Sequence, residues 1–244
     1  MKLSQKTILV TGGNSGIGLS LVKQLHGFGN KIVVVSRSQN NWSLLADYSP
    51  DVITLQCDLG KCNEVQQLVT TLYEQQIQLD LLINCAAIQL TPQLIDEEFD
   101  LNGVEREMTI NFTSIVWLSY LLLPMLLLRP QSGIVNLSSG LAICPKTASA
   151  VYCASKAALH SFSQSLRYQL ASHSVQVTEV LLPLVDTPMT AGRGSGKITS
   201  LQAAEAIISG VEQGRSEVYV GKARLLPLMM RLWPNLMKKI VSRY

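Results

Sequence analysis

Residues 7–18 read Thr7-Ile8-Leu9-Val10-Thr11-Gly12-Gly13-Asn14-Ser15-Gly16-Ile17-Gly18. A short apolar run, Thr7–Val10, ends in a turn carrying four glycines. Glycine lets the backbone take positive φ and approach a ligand closely. Beyond the turn, Ile17, Leu21, Leu25 and Phe28 recur at helical spacing, which predicts a helix over Gly16–Phe28. A strand that runs through a glycine turn into a helix presents free N–H groups and the positive end of the helix dipole. That is the context in which such a turn holds a pyrophosphate.

The pattern repeats outward from this unit. Lys31–Val35, Val52–Leu55, Leu79–Ile83, Ile134–Leu137, Val175–Leu181 and Val218–Val220 read as further buried strands. Glu64–Tyr73, Val104–Leu128, Tyr152–Ser172 and Ser200–Gln213 read as helices between them, the last with Thr199 as N-cap and Gln202 as capping-box partner. Continuous Val/Ile/Leu strands separated by helices predict an α/β fold: one doubly wound domain, its parallel sheet of about seven strands covered on both faces. Its ligand crevice is expected at the carboxyl ends of the strands. This domain spans residues 1–221, and 222–244 form a tail.

Composition agrees. Of 244 residues 47% are hydrophobic and 15% charged, which excludes a disordered chain. Twenty Lys+Arg against 17 Asp+Glu is too even for a nucleic-acid binder. The five cysteines contain no C-x-x-C pair and only three histidines accompany them, which argues against both a disulfide framework and a zinc site. The longest apolar run, Val116–Leu128, falls short of the roughly 20 residues of a membrane span and is expected to be a buried or interface helix. With no signal-peptide pattern after Met1-Lys2, a cytoplasmic location is expected.

Several residues carry chemistry. The second strand ends Val35-Ser36-Arg37-Ser38. An acidic residue there would take the ribose 2′-OH of NAD; Arg37 instead suits a 2′-phosphate. Asp58, after the third strand, can bond an adenine amino group or cap the next helix. Asn84-Cys85-Ala86-Ala87 follows the fourth strand with side chains small enough for a cofactor to pass. Tyr152 and Lys156 share a helix face at i, i+4. An ammonium beside a phenol is expected to lower its pKa, as acid/base chemistry on a carbonyl or alcohol requires. Ser139, at the end of the fifth strand, can hold the substrate oxygen opposite Tyr152. Its neighbour Ser138 would point to the other face. Cys144 and Cys153 are read as packing residues.

With these motifs the chain resembles the short-chain dehydrogenase/reductase family over nearly its whole length. Thr11–Gly18 corresponds to the TGxxxGxG turn, and Ser139, Tyr152 and Lys156 fall on the catalytic serine, tyrosine and lysine. Asn111 falls on the asparagine that holds a proton-relay water. The resemblance implies a Rossmann-like domain and hydride transfer between NADP(H) and a small carbonyl or alcohol substrate. The implied cofactor contacts are Gly12, Asn14, Ser15, Gly16, Ile17, Gly18, Arg37, Asp58, Leu59, Asn84, Ala86, Tyr152, Lys156, Pro183, Val185 and Thr187. A homodimer or homotetramer is implied through Val104–Leu128 and Tyr152–Ser172. Two positions depart from the family pattern, Ala87 in place of the glycine of NNAG and Leu184 in place of the glycine after Pro183. The competing function is an NADP-binding sensor or scaffold without turnover, which would be free to lose Tyr152.

Substrate choice is assigned to Ile88–Leu101, Ala142–Val151 and the glycine-rich Met189–Thr199, read as a mobile lid in which Arg193 is expected to be a solvated loop residue. The tail holds six basic side chains (Lys222, Arg224, Arg231, Lys238, Lys239, Arg243) and no acidic one. Pro227 and Pro234 are expected to break it into short helices. It can pack on its own subunit, reach a neighbour or lie on an anionic membrane surface. Packing is the favoured reading and membrane contact the less favoured one.

Overall fold

Each apolar run becomes a strand with both faces to bury. The strands are β1 (Thr7–Thr11), β2 (Lys31–Ser36), β3 (Val52–Gln56), β4 (Leu81–Asn84), β5 (Ser132–Ser139), β6 (Val175–Leu182), β7 (Val185–Asp186), β8 (Ile198–Thr199) and β9 (Glu217–Tyr219). The structure, a computed structural model, describes residues 1–47 and 51–242. Among these, seven strands pair in parallel in the order β3-β2-β1-β4-β5-β6-β9. The strand order reverses beside β1, and that switch point opens the crevice where such sheets bind ligands.

The helices are α1 (Gly16–His26), α2 (Ser43–Ala46), α3 (Cys62–Glu74), α4 (Leu101–Met108), α5 (Ser114–Leu127), α6 (Ala150–Gln169), α7 (Ser200–Glu212), α8 (Leu226–Leu232) and α9 (Pro234–Val241). Alternation along β1 sends Ile8 and Val10 to one core with Leu21 and Leu25 of α1 and Ile207 of α7. Leu9 goes to the other, with Leu68 and Leu72 of α3 and Leu118 and Leu122 of α5. Each such side chain contributes ~1.5–3 kcal/mol by leaving water. The capping box before α7 forms as read, with Gln202 N–H donating to Thr199 Oγ1 at 3.1 Å and Thr199 N–H to Gln202 Oε1 at 3.0 Å.

Three features differ from expectation. The helix read over Val104–Leu128 begins at Leu101 and is interrupted by a π-helical turn, Thr109–Thr113, between α4 and α5. Leu101–Leu127 is long and apolar enough to cross a membrane, yet half of its most apolar window is buried in the domain. The short α2 and the parallel pair β7–β8 carry too few residues to show a period.

The tail breaks as the prolines require, with Pro234 in the first turn of α9. Leu226 and Met237 bury against Cys144, flanked by Ile143, Met229, Met230 and Val241. Thr147 Oγ1 donates to the carbonyl of Ser242 at 2.6 Å. Arg243 lies outside the described residues.

Candidate active site

The glycine turn is shaped by contacts that exclude a side chain. Gly12 has φ of 68°, and a Cβ there would lie 3.0 Å from the Ala86 Cα. A Cβ on Gly18 would lie 2.2 Å from the Gly12 carbonyl oxygen, so α1 can press on the turn only with glycine there. Thr11 Oγ1 accepts from the N–H groups of Cys85 and Ala86 at 3.0 and 3.1 Å, tying the end of β1 to Asn84–Ala86. Asn14 clasps the next crossover: its Nδ2 donates to the carbonyls of Ser38 and Asn40, and its own carbonyl accepts from Asn41 Nδ2. Ser15 is the N-cap of α1 and makes no side-chain cap, which leaves the leading amides of that helix available to an anion. Ile17 packs at the edge of the core.

Arg37 and Asp58 sit at the ends of β2 and β3, beside a depression of about 700 Å³ that Gln56, Lys61 and Glu64 also line. The Arg37 guanidinium is exposed. Asp58 is not the cap of α3, whose N-cap is Lys61. Its carboxylate instead accepts from the Gly60 N–H at 2.9 Å and, with both oxygens, from Arg106 at 3.1 Å. Burial pushes the Asp58 carboxyl up, but the Gly60 and Arg106 bonds outweigh it and hold it below the usual carboxylate range. Leu59 is buried in the core.

At the end of β4, Asn84 Nδ2 donates to Asn136 Oδ1 at 2.8 Å, and Asn136 donates on to Ser163. The buried Asn84 Oδ1 has no hydrogen-bond partner among the described residues. A buried acceptor left open at a strand's carboxyl end, uncapped helix amides and a glycine cradle together fit a dinucleotide. At the far end, Thr187 Cγ2 lies 3.1 Å from where a Gly16 Cβ would be, so the segment after β6 closes over the turn. Pro183 and Val185 flank Leu184, whose φ is not positive, so nothing in the backbone there requires glycine. The Leu184 side chain packs against Gly194 of the lid.

The candidate reacting groups come from three elements. Ser139 ends β5 and takes the Leu141 N–H at 3.1 Å. Ser138, one residue earlier, has its hydroxyl buried without a partner among the described residues, on the other face. Tyr152 and Lys156 stand in the first turns of α6, with Lys156 Nζ 5.7 Å from the tyrosine ring centre. Asn111, fully buried in the π-helical turn, accepts from the Ile88 N–H and donates to the Ile88 carbonyl, both at 2.9 Å, and reaches Ser155 Oγ at 3.2 Å. Such turns recur at functional positions.

The expected lowering of the tyrosine pKa is corrected. Burial pushes the Tyr152 phenol up to about 12, opposed by a hydrogen bond with Ser139. Lys156 Nζ donates to the Leu137 carbonyl at 2.9 Å and is not among the groups that shift the phenol. Burial pulls the Lys156 ammonium down from 10.5 to about 8. Between those two values the unfolded chain holds more protons at this lysine than the folded one, so stability rises with pH across that window. Lys156→Met should remove the rise. In urea melts below pH 8 and approaching 10.5, the stability of wild type minus variant should grow with pH. A constant difference would sink this assignment.

Two neighbours were not expected. Glu107, 1% exposed, accepts the Leu90 N–H at 2.9 Å, and burial holds its carboxyl above the usual range. It precedes Asn111 by one helical turn, a spacing that could have marked it. Arg193 is not a solvated loop residue. It donates to Gln89 Oε1 at 3.1 Å and to the Met189 carbonyl, tying the lid to the segment after β4. Cys144 and Cys153 are buried, and burial raises both thiols, in keeping with packing roles.

These features agree with the comparisons. An uncharacterized oxidoreductase of Bacillus subtilis (strain 168), DltE, is 36% identical over 229 residues, covering 89% of each chain. A short chain dehydrogenase from Burkholderia cenocepacia J2315, solved in complex with NADP, superimposes with a TM-score of 0.88 at 25% identity over 99% of each chain. A short chain dehydrogenase/reductase from Burkholderia phymatum in complex with NAD shares the fold, with a TM-score of 0.85 at 19% identity over 95% of this chain and 94% of that one. The family model described as short chain dehydrogenase matches residues 6–197, from β1 to the lid. With its parallel sheet, glycine turn and Ser139/Tyr152/Lys156 cluster, the chain belongs to the short chain dehydrogenase family of oxidoreductases.

Proposed function

We propose that this protein is an NADP(H)-dependent oxidoreductase that interconverts a small carbonyl compound and its alcohol, with Tyr152 as general acid/base. The observation that carries the reading is the convergence of Ser139, at the carboxyl end of β5, with Tyr152 and Lys156 in the first turns of α6, where Lys156 Nζ lies 5.7 Å from the tyrosine ring centre. When bound, the nicotinamide supplies or accepts the hydride. Ser139 holds the substrate oxygen, and Tyr152 gives that oxygen its proton in reduction. The phenol is protonated at neutral pH and can give that proton, although burial, which pushes it up to about 12, makes it a weaker acid than an exposed phenol. Lys156, with Nζ 5.7 Å from the tyrosine ring centre, and Asn111, bonded to Ser155 of the same helix, stand nearby. Arg37 favours the 2′-phosphate, and the NADP bound by the Burkholderia cenocepacia relative supports that choice.

The protein is read as a cytoplasmic homo-oligomer. Tyr120 and Leu128, on and just beyond α5, and Tyr168 of α6 are 76%, 84% and 68% exposed, an apolar face that a monomer seldom leaves in water. Light scattering at micromolar concentration should give at least a dimer's mass; a monomer's mass counts against this interface. The function itself is tested by NADPH oxidation against a panel of aldehydes and ketones. Tight NADPH binding with no turnover on any of them would favour a sensor.

A further inference from the structure

The tail carries two apolar faces. The inner one, with Leu226 and Met237, fastens α8 and α9 onto Ile143 and Cys144. The outer one is open. Leu225, the N-cap of α8, with Leu228 and Leu232 follows i, i+3, i+7, and Trp233, the N-cap of α9, with Leu236 and Ile240 repeats that spacing, a stripe along each helix. All six are between 40% and 57% exposed. Lys222, Arg224, Arg231, Lys238 and Lys239 stand exposed among them, and no acidic residue occurs from 222 to 242. Bulky apolar groups gathered in water beside positive charge that has no ion-pair partner among the described residues mark a contact surface.

The charge decides what fits. A second copy meeting this face about a two-fold axis would set the same basic residues against themselves. The inner face already serves the tail's own packing, so the outer one is not core left uncovered. An anionic bilayer surface satisfies both chemistries. Leu and Trp side chains enter the headgroup–acyl boundary, and Lys and Arg pair with lipid phosphates. We propose that α8 and α9 dock this protein onto a membrane surface rich in anionic phospholipid, by their outer stripes and basic side chains. Packing and membrane contact, which competed as readings of the tail, then belong to different faces of it.

Vesicle sedimentation of the full-length protein tests this. Vesicles of phosphatidylglycerol with phosphatidylcholine should carry the protein down, and raised salt should release it. Vesicles of phosphatidylcholine alone should carry far less. Lys238→Glu with Lys239→Glu should lower the partition coefficient at least about tenfold. Leu232→Ser with Trp233→Ser should lower it similarly, and Arg231→Glu provides an independent charge variant. These side chains are exposed, so an unchanged thermal melt is expected of each variant that is compared. No sedimentation with anionic vesicles, or equal sedimentation with neutral ones, overturns the proposal. So does an oligomer mass in light scattering that Leu232→Ser with Trp233→Ser reduces, because a second copy then covers the face.

Discussion

Tyr152→Phe should lower kcat at least about 10²-fold while leaving NADPH affinity near the wild-type value. The variant keeps the ring, and with it the contact to Lys156, whose Nζ lies 5.7 Å from the ring centre. It removes only the hydroxyl. In reduction, hydride adds to the carbonyl carbon and the oxygen must receive a proton, and among the described residues the groups near Tyr152 are poorly suited to give one. The Ser139 hydroxyl is a far weaker acid, and Lys156 donates instead to the Leu137 carbonyl. Glu107 is held by the Leu90 N–H on the side of α4. The loss should therefore appear in kcat with a substrate drawn from the carbonyl panel, and a fluorescence titration should show NADPH still bound. Turnover within a few-fold of wild type would remove Tyr152 from the acid role. A parallel loss of NADPH binding would point to a damaged fold instead.

The fold was legible for a physical reason. A parallel sheet buries both faces of its strands, so each strand appears as an unbroken Val/Ile/Leu run, and the helices between show their own period. The π-helical turn at Thr109–Thr113 was not legible, because the helical period continues on both sides of it. The candidate reacting residues stand out because their spacing is local: Tyr152 and Lys156 share a helix face, and Ser138 and Ser139 alternate across a strand. Contacts between distant segments could not. Arg106 reaches Asp58 across 48 positions and Arg193 reaches Gln89 across 104, and no period links them. The tyrosine pKa was misjudged for a related reason. An i, i+4 spacing says that ammonium and ring are close, but not which way the ammonium points or how much water burial removes from the phenol. Here burial dominates.

Arg37→Ala should weaken NADPH binding by about 10- to 150-fold and NADH binding hardly at all. A charge-assisted pair with phosphate contributes roughly 1.5–3 kcal/mol, and NADH has no 2′-phosphate to lose. The backbone around Arg37 is fixed independently of its side chain. Gln56 Nε2 donates to the Arg37 carbonyl at 2.9 Å, Ser36 Oγ and Asn14 Nδ2 both donate to the Ser38 carbonyl, and Trp42 Nε1 donates to Ser36 Oγ. The alanine variant should therefore keep the loop and lose only the guanidinium. That guanidinium is exposed and has no ion-pair partner among the described residues; Asp58, which lines the same depression, feels its charge but is itself bonded to Arg106. Lys61 lines the same depression but is paired with Glu64 at 2.8 Å, which limits its ability to stand in. Titrating both cofactors into wild type and variant separates the outcomes. A selective fall in NADPH affinity assigns the 2′-phosphate to Arg37. An equal fall for both cofactors, or a wild type that already prefers NADH, means that discrimination lies elsewhere and that the basic residue at the end of β2 is only a solvated side chain.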